Sequence, residues 1–202
     1  DSISIDFPYL EDQSSLTTVD IAYTYQTPIL GDYDLDGKIS YNDMWDLVEN
    51  WEAKNYDYEL GPFEGTVPHL ISYPDSKFNI DDGMAFVQIW SWYQSMFGEI
   101  IDDTSYSESI MNIFQSNGSI YIPLSDSILC GQVQLVYQNE AISPRFQFPS
   151  SEENELYLSS YFPEKGYSIM EFARSGLLDQ DTIKVDIGSL TQGKLFYVFK
   201  NK

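Results

Sequence analysis

The stretch of residues 31–43, GDYDLDGKISYND, decides how this chain is read. Asp32, Asp34 and Asp36 stand at alternate positions, so their carboxylates converge and repel one another unless a cation sits between them. Gly37 follows at the sixth place of the loop, where a chain wrapping an ion needs the positive φ that glycine adopts freely. Lys38 at the seventh place offers a main-chain carbonyl, Ser40 at the ninth a hydroxyl, and Asp43 at the twelfth a further carboxylate. Asp32, Asp34, Asp36, Lys38, Ser40 and Asp43 are therefore the expected ligands of one hard divalent ion, Ca2+. The plain alternative is an acidic, solvated turn in a chain rich in Asp and Glu. Acidity alone does not predict the glycine at place six, Ile39 at place eight, or the helical spacing that begins after Asp43.

Two features set this loop apart from an EF-hand pair. Its twelfth residue is Asp where EF-hands carry Glu, and the preceding IAYTYQTPILG, with Pro28 and Gly31, reads as strand and turn where an EF-hand has a helix. A second, worn copy lies downstream: Ile39 matches Phe78, Asp43 matches Asp82, Leu47 matches Phe86, Val48 matches Val87 and Trp51 matches Trp90. Each pair is separated by 39 positions, the constant offset that duplication leaves behind. A calcium loop ending in Asp, followed by a helix and repeated once, resembles the dockerin family, and the resemblance implies a calcium loop–helix pair over residues 29–97. In the second copy Asp75, Asn79 and Asp82 keep places five, nine and twelve. Ile71 and Tyr73 fall at places one and three, and Ser76 replaces the turning glycine. That loop is expected to keep its shape by hydrogen bonds or a water.

With 32 acidic residues against 10 basic and a formal net charge of −22, attraction to nucleic acid or to anionic lipid is not expected. Cations, neutral glycans or proteins remain as partners, and so many like charges favour a protein working in salty water. No window approaches the apolar length of a membrane span, which argues against membrane insertion. The sequence opens DSISIDF with neither Met nor a basic segment, as a fragment or a processed chain would. Since calcium is plentiful outside cells, a loop of modest affinity implies an extracellular or cell-surface location.

Val19, Ile21, Tyr23 and Tyr25 alternate with polar neighbours, so residues 1–28 are expected to form strand, the end of a preceding sandwich. Met44, Leu47, Val48 and Trp51, and then Phe86, Val87 and Trp90, follow helical spacing and are expected to pack the two helices together. Trp45, Met84, Ile89 and Trp92 lie off that shared face, so they cannot all sit in the helix–helix core and some must meet another surface. His69, the only histidine, is expected to be a partly buried loop residue. Residues 98–109 are polar, acidic and Ser-rich and read as a linker.

From residue 110 onward, Ile120 and Ile122, Val133 with Leu135 and Tyr137, Phe146 and Phe148, Leu156 and Leu158, Ile183 with Val185 and Ile187, and Leu195 with Tyr197 and Phe199 alternate with polar residues between turn-forming segments. An antiparallel β-sandwich over 110–202 is expected. Its opening, SIYIPLSDSILCGQVQLVY, resembles a cohesin-type or immunoglobulin-like domain of the kind found in large secreted bacterial surface proteins. The expected fold class is thus mostly β with a small α module, a calcium loop–helix pair joined to a sandwich.

Catalysis is not expected. One histidine and one cysteine, His69 and Cys130, lie in unrelated segments, so no histidine-based triad or zinc site can be assembled, and no Gly-rich phosphate loop appears. Cys130 reads as a small buried hydrophobe. The expected function is non-catalytic: a calcium-binding structural or attachment region whose partner is another protein or a neighbouring domain of the same polypeptide. The alternatives are a carbohydrate-binding module using exposed Trp and Tyr, and a unit that self-assembles with calcium.

Overall fold

The computed structural model describes residues 28–98, 114–116, 118–125, 127–137, 144–148, 155–174, 182–188, 190 and 193–201. The strands expected over 1–28, Pro28 apart, and the linker expected over 98–109, Gly98 apart, lie outside the described residues.

Both helices start where the local sequence can satisfy the free N–H groups of a first turn. Helix α1 (Tyr41–Ala53) is preceded by Ser40, whose Oγ accepts from Asn42 N at 3.2 Å, while the Asp43 carboxylate accepts from Ser40 N at 2.9 Å. Helix α2 (Ile80–Phe97) repeats this capping box with Asn79 and Asp82, at 2.7 Å to Asp81 N and 2.8 Å from Asn79 N. Between the helices, after a 3-10 turn at Tyr56–Tyr58, strands β1 (Phe63–Glu64) and β2 (Ile71–Ser72) pair in a short antiparallel ladder, and the rest of the stretch is irregular, as its glycines and prolines predict.

The remaining strands are β3 (Phe114–Ser116), β4 (Ser119–Pro123), β5 (Ile128–Tyr137), β6 (Arg145–Gln147), β7 (Glu155–Phe162), β8 (Tyr167–Arg174), β9 (Thr182–Asp186) and β10 (Gly193–Asn201). They form two antiparallel four-stranded sheets, ordered β10-β5-β8-β7 and β3-β4-β9-β6. Ile122, Val133, Leu135, Met170, Phe172, Ile183 and Val185 fill the space between them. The protein is therefore mostly β with a small α part, as the alternation predicts.

The helices use the other face of the first sheet. Strand β8 is buried along its whole length: Met170 and Phe172 point into the sandwich, whereas Tyr167, Ile169 and Ala173 join Met44, Leu47, Phe86, Ile89 and Trp90 in one continuous core. Helix α1 lies across β5 and β8, and α2 lies against β7. The expected helix–helix core is accordingly a helix–sheet core. Ile89, set off from the shared helical face, is fully buried in it. Trp45 is half-buried with Lys200 Nζ of β10 4.4 Å from its ring centroid, Met84 is exposed, and Trp92 is half-buried with the rings of Tyr93 and Phe97 edge-on beside it. His69 departs from expectation: it is exposed, because the turn that holds it, closed by His69 N donating to Thr66 O at 2.8 Å, projects away from the core.

One carboxylate is sealed into this interface. Glu171, on the helix-facing side of β8, is 1% exposed and accepts from Trp90 Nε1 at 2.7 Å and from Gln94 Nε2 at 3.3 Å. Loss of water raises its pKa to about 8 from the ordinary 4.5, the Trp90 hydrogen bond opposing the rise and the charge of Asp43 adding to it. A carboxyl whose folded pKa is raised binds more protons folded than unfolded, so its stabilising contribution is complete below about pH 4.5 and is lost as pH climbs to about 8. Glu171→Gln keeps the acceptor and removes the charge. Urea unfolding at pH 5 and pH 8.5 is expected to show the variant near parental stability at the lower pH and more stable by on the order of 1 kcal/mol or more at the higher. Parallel pH dependences of the two proteins would contradict this account of Glu171.

Candidate metal centre

The backbone of residues 31–40 closes on itself before any ion is considered. Leu35 and Gly37 take positive φ values of 59° and 82°, two left-handed steps that turn the chain around a common centre. Gly37 N donates to Asp32 Oδ2 at 3.0 Å, Asp36 N to Asp34 Oδ1 at 3.1 Å and Lys38 N to Asp36 Oδ1 at 2.7 Å. Each aspartate is thus held by the chain that follows it, and each keeps an oxygen to spare.

The result is convergence. Asp32, Asp34 and Asp36 each bring a carboxylate oxygen within 4.8 Å of the others, the only such group of three or more metal-ligating side chains among the described residues. Two oxygens on opposite sides of a calcium ion lie at most about 5 Å apart, given Ca–O distances of about 2.4 Å. Asp34 and Asp36 are exposed, but Asp32 is 6% exposed, and its Oδ1 is buried with no hydrogen-bond partner. A buried carboxylate oxygen left without a donor is costly. Burial raises the Asp32 pKa, the charges of Asp36 and Asp34 raise it further, and the Gly37 N–H opposes them. A divalent cation relieves the burial and the repulsion together. An all-oxygen donor set also suits a hard ion, so these residues fit calcium.

Asp43 lies outside that cluster. It is fully buried, accepts from Tyr33 N at 2.8 Å and Ser40 N at 2.9 Å, and has a pKa raised to about 6, chiefly by burial, with those two N–H groups opposing it. Its oxygens still have lone pairs free for an ion, but their hydrogen bonds fasten the loop to the start of α1. Ser40 serves as the N-cap, and Lys38 is exposed at the rim. Tyr33 ties the loop to the chain beyond α1, donating from its hydroxyl to Tyr58 O at 2.7 Å.

The second loop is held by hydrogen bonds. Asp82, fully buried, accepts from Leu60 N, Gly61 N and Asn79 N at 2.8–2.9 Å. Gly61 passes so close to the first turn of α2 that an added Cβ would fall 2.7 Å from the backbone of Asp81 and Asp82. Ser76 takes a φ of 61°, the left-handed conformation of Gly37, and donates to Glu59 Oε2 at 3.0 Å. Asp75 is 3.1 Å from Lys77 Nζ in an exposed ion pair, and Ile71 and Tyr73 are exposed. Sequence reading missed Glu59, because no spacing rule connects it to Ser76.

Comparison with protein-family profiles, with curated sequences and with solved structures gives no match. The site's own chemistry is therefore what bears on function. Cys130 is buried, its thiol pushed up to about 12 mainly by loss of water, and His69 lies on an exposed turn. Among the described residues, no helix is long and apolar enough to cross a membrane.

Asp43 and the cluster at Asp32, Asp34 and Asp36 separate under mutation. In chelator, Asp43→Ala strands the Tyr33 and Ser40 N–H groups and is expected to cost about 2–3 kcal/mol. The double change Asp34→Ala, Asp36→Ala removes exposed, mutually repelling charges and is expected to cost less than about 0.5 kcal/mol under the same conditions. Denaturant midpoints of the two variants in EDTA check the ordering.

Proposed function

We propose that this chain is a non-catalytic, calcium-binding structural or attachment region of a secreted or cell-surface protein. In this reading residues 29–97 are a dockerin-like module whose first loop takes calcium, seated on a cohesin- or immunoglobulin-like sandwich. The observation that carries the proposal is the buried, unpartnered Oδ1 of Asp32 among three converging aspartates. Calcium there acts as a staple. It fixes a loop that hydrogen bonds to Asp43 already tie to the N-terminus of α1, and that Ile39, fully buried directly beyond it, ties to the shared core. The partner is a neighbouring domain or another protein, since the net charge of −22 disfavours polyanions.

The carbohydrate reading would rest on its tyrosines: Tyr56, Tyr73 and Tyr157 are exposed, whereas no tryptophan stands among the exposed large hydrophobic side chains of the described residues. Calcium-driven self-assembly remains a variant of the attachment reading, distinguished by association that depends on both protein and calcium concentration.

Stapling acts by linkage, because the ion binds the folded loop and not the unfolded chain. A Kd of about 10⁻⁴ M in about 1 mM calcium stabilises by about 1.4 kcal/mol. Thermal unfolding is therefore expected to shift up on adding calcium to the chelated protein, and Asp34→Ala with Asp36→Ala is expected to abolish the shift. An unchanged midpoint in the parent protein would overturn the reading.

A further inference from the structure

The second loop repeats the hydrogen bonds of the first more fully than its linear sequence suggests, because the carboxylate that caps its turn comes from elsewhere in the chain. In the first loop, Gly37 N donates to Asp32 Oδ2 at 3.0 Å, and the residue after Asp32, Tyr33, donates from its N–H to Asp43 Oδ1 at 2.8 Å. Ser76 N donates to Glu59 Oε2 at 3.0 Å, and the residue after Glu59, Leu60, donates from its N–H to Asp82 Oδ1 at 2.9 Å. Ser76 and Asp82 occupy the places of Gly37 and Asp43, 39 residues on. Glu59, and not Ile71, therefore takes the part of Asp32. What separates Glu59 and Leu60 from Asp75 is an inserted stretch, 61–74, carrying β1 and β2. Tyr73 N donates to Pro62 O at 2.7 Å, so the insertion is pinched at its base and the chain re-enters the loop close to where it left.

We propose that Glu59 and Asp75, with the main-chain carbonyl of Lys77 and the side chains of Asn79 and Asp82 beside them, form a second divalent-cation site, a calcium loop split by the hairpin at 61–74. Its strongest support is independent of the loop's shape. Glu59 is 6% exposed, one oxygen faces Ser76 N, and the other, Oε1, is buried with no hydrogen-bond partner, matching the unpartnered Oδ1 of Asp32. The site holds fewer converging carboxylates than the first, and Lys77 Nζ, itself 72% exposed, must release Asp75 Oδ2 when an ion enters. Its affinity is accordingly lower than that of the first loop. This inference goes beyond the proposed function, which uses the first loop alone.

Calcium titration of the whole chain by calorimetry tests it, with near-ultraviolet circular dichroism to confirm folding. The parent protein is expected to bind two ions. Glu59→Gln, which keeps an acceptor for Ser76 N, is expected to weaken the lower-affinity site at least tenfold, and Asp75→Ala, at a partly exposed position, to do the same should Glu59→Gln not fold. Asp34→Ala with Asp36→Ala is expected to remove only the tighter ion. One ion, lost in the Asp34, Asp36 variant, would overturn the split site and leave the first loop's reading standing. One ion, lost on changing Glu59 or Asp75 but kept in the Asp34, Asp36 variant, would uphold the split site and overturn the other. Two ions undisturbed by changes at Glu59 and Asp75, or none in the parent, would overturn it.

Discussion

A strand buried on both faces requires a layer on each side, and β8 imposes that requirement here. Antiparallel sheets usually leave one face to water. In this chain the outward residues of β8 and its neighbour β5, including Tyr167, Ile169, Ala173 and Cys130, are apolar and buried, so the sheet β10-β5-β8-β7 needs a cover beyond the sandwich. The two helices supply it. In turn the helices acquire what a pair of short loop–helix units lacks, a surface large enough to bury Met44, Leu47, Phe86, Ile89 and Trp90 together.

The same interface explains why polar groups sit inside it. Glu171 meets Trp90 Nε1 and Gln94 Nε2, donors fixed on α2, and such directional contacts set the rotation and height of that helix over the sheet in a way apolar packing does not. On the inner face Arg174, fully buried, donates to Ile128 O and Ser125 O and so closes the turn that leads from β4 into β5. Lys200 over the ring of Trp45 adds a tie between β10 and α1 at the edge of the layer.

Much of this was legible in the sequence, and the failures have definite causes. The alternation at Ile120 and Ile122, Val133 to Tyr137, Ile183 and Val185, and Leu195 to Phe199 marks strands with one face in a core, and those strands are present. Strand β8 escaped because YSIMEFAR buries both faces, which erases the period of two and leaves a charged residue on each side of the strand. The helix starts lie at the capping boxes Ser40–Asp43 and Asn79–Asp82, local chemistry that the spacing argument, which begins the first helical pattern after Asp43, does not use. That the helices lie on the sheet was not legible, because nothing in a helix's apolar stripe says what will cover it. The cluster at Asp32, Asp34 and Asp36 was readable from alternate spacing alone. Glu59 was not, since the relation between a carboxylate and an N–H 17 residues away exists only after the intervening hairpin folds.

The placement of the two loops follows from what their twelfth residues do. Asp43 and Asp82 are both fully buried, both serve as the third residue of a capping box, and both accept N–H groups from a segment outside their own helix. A carboxylate doing all three is a junction: it fixes where the helix begins, where the loop enters and how the two are oriented. The acidic side chains then project from a frame the backbone has already set, so on the proposed reading an ion would meet oxygens held near their binding positions, with little ordering cost left to be met on binding. The charge that makes such a frame costly without an ion is local repulsion, and it is greatest where burial has removed the screening water, at Asp32. On the proposed reading, calcium affinity would be tied to packing: the better Ile39 and α1 are seated on β5 and β8, the more firmly the aspartates are held together, and the more a cation between them would stabilise the whole.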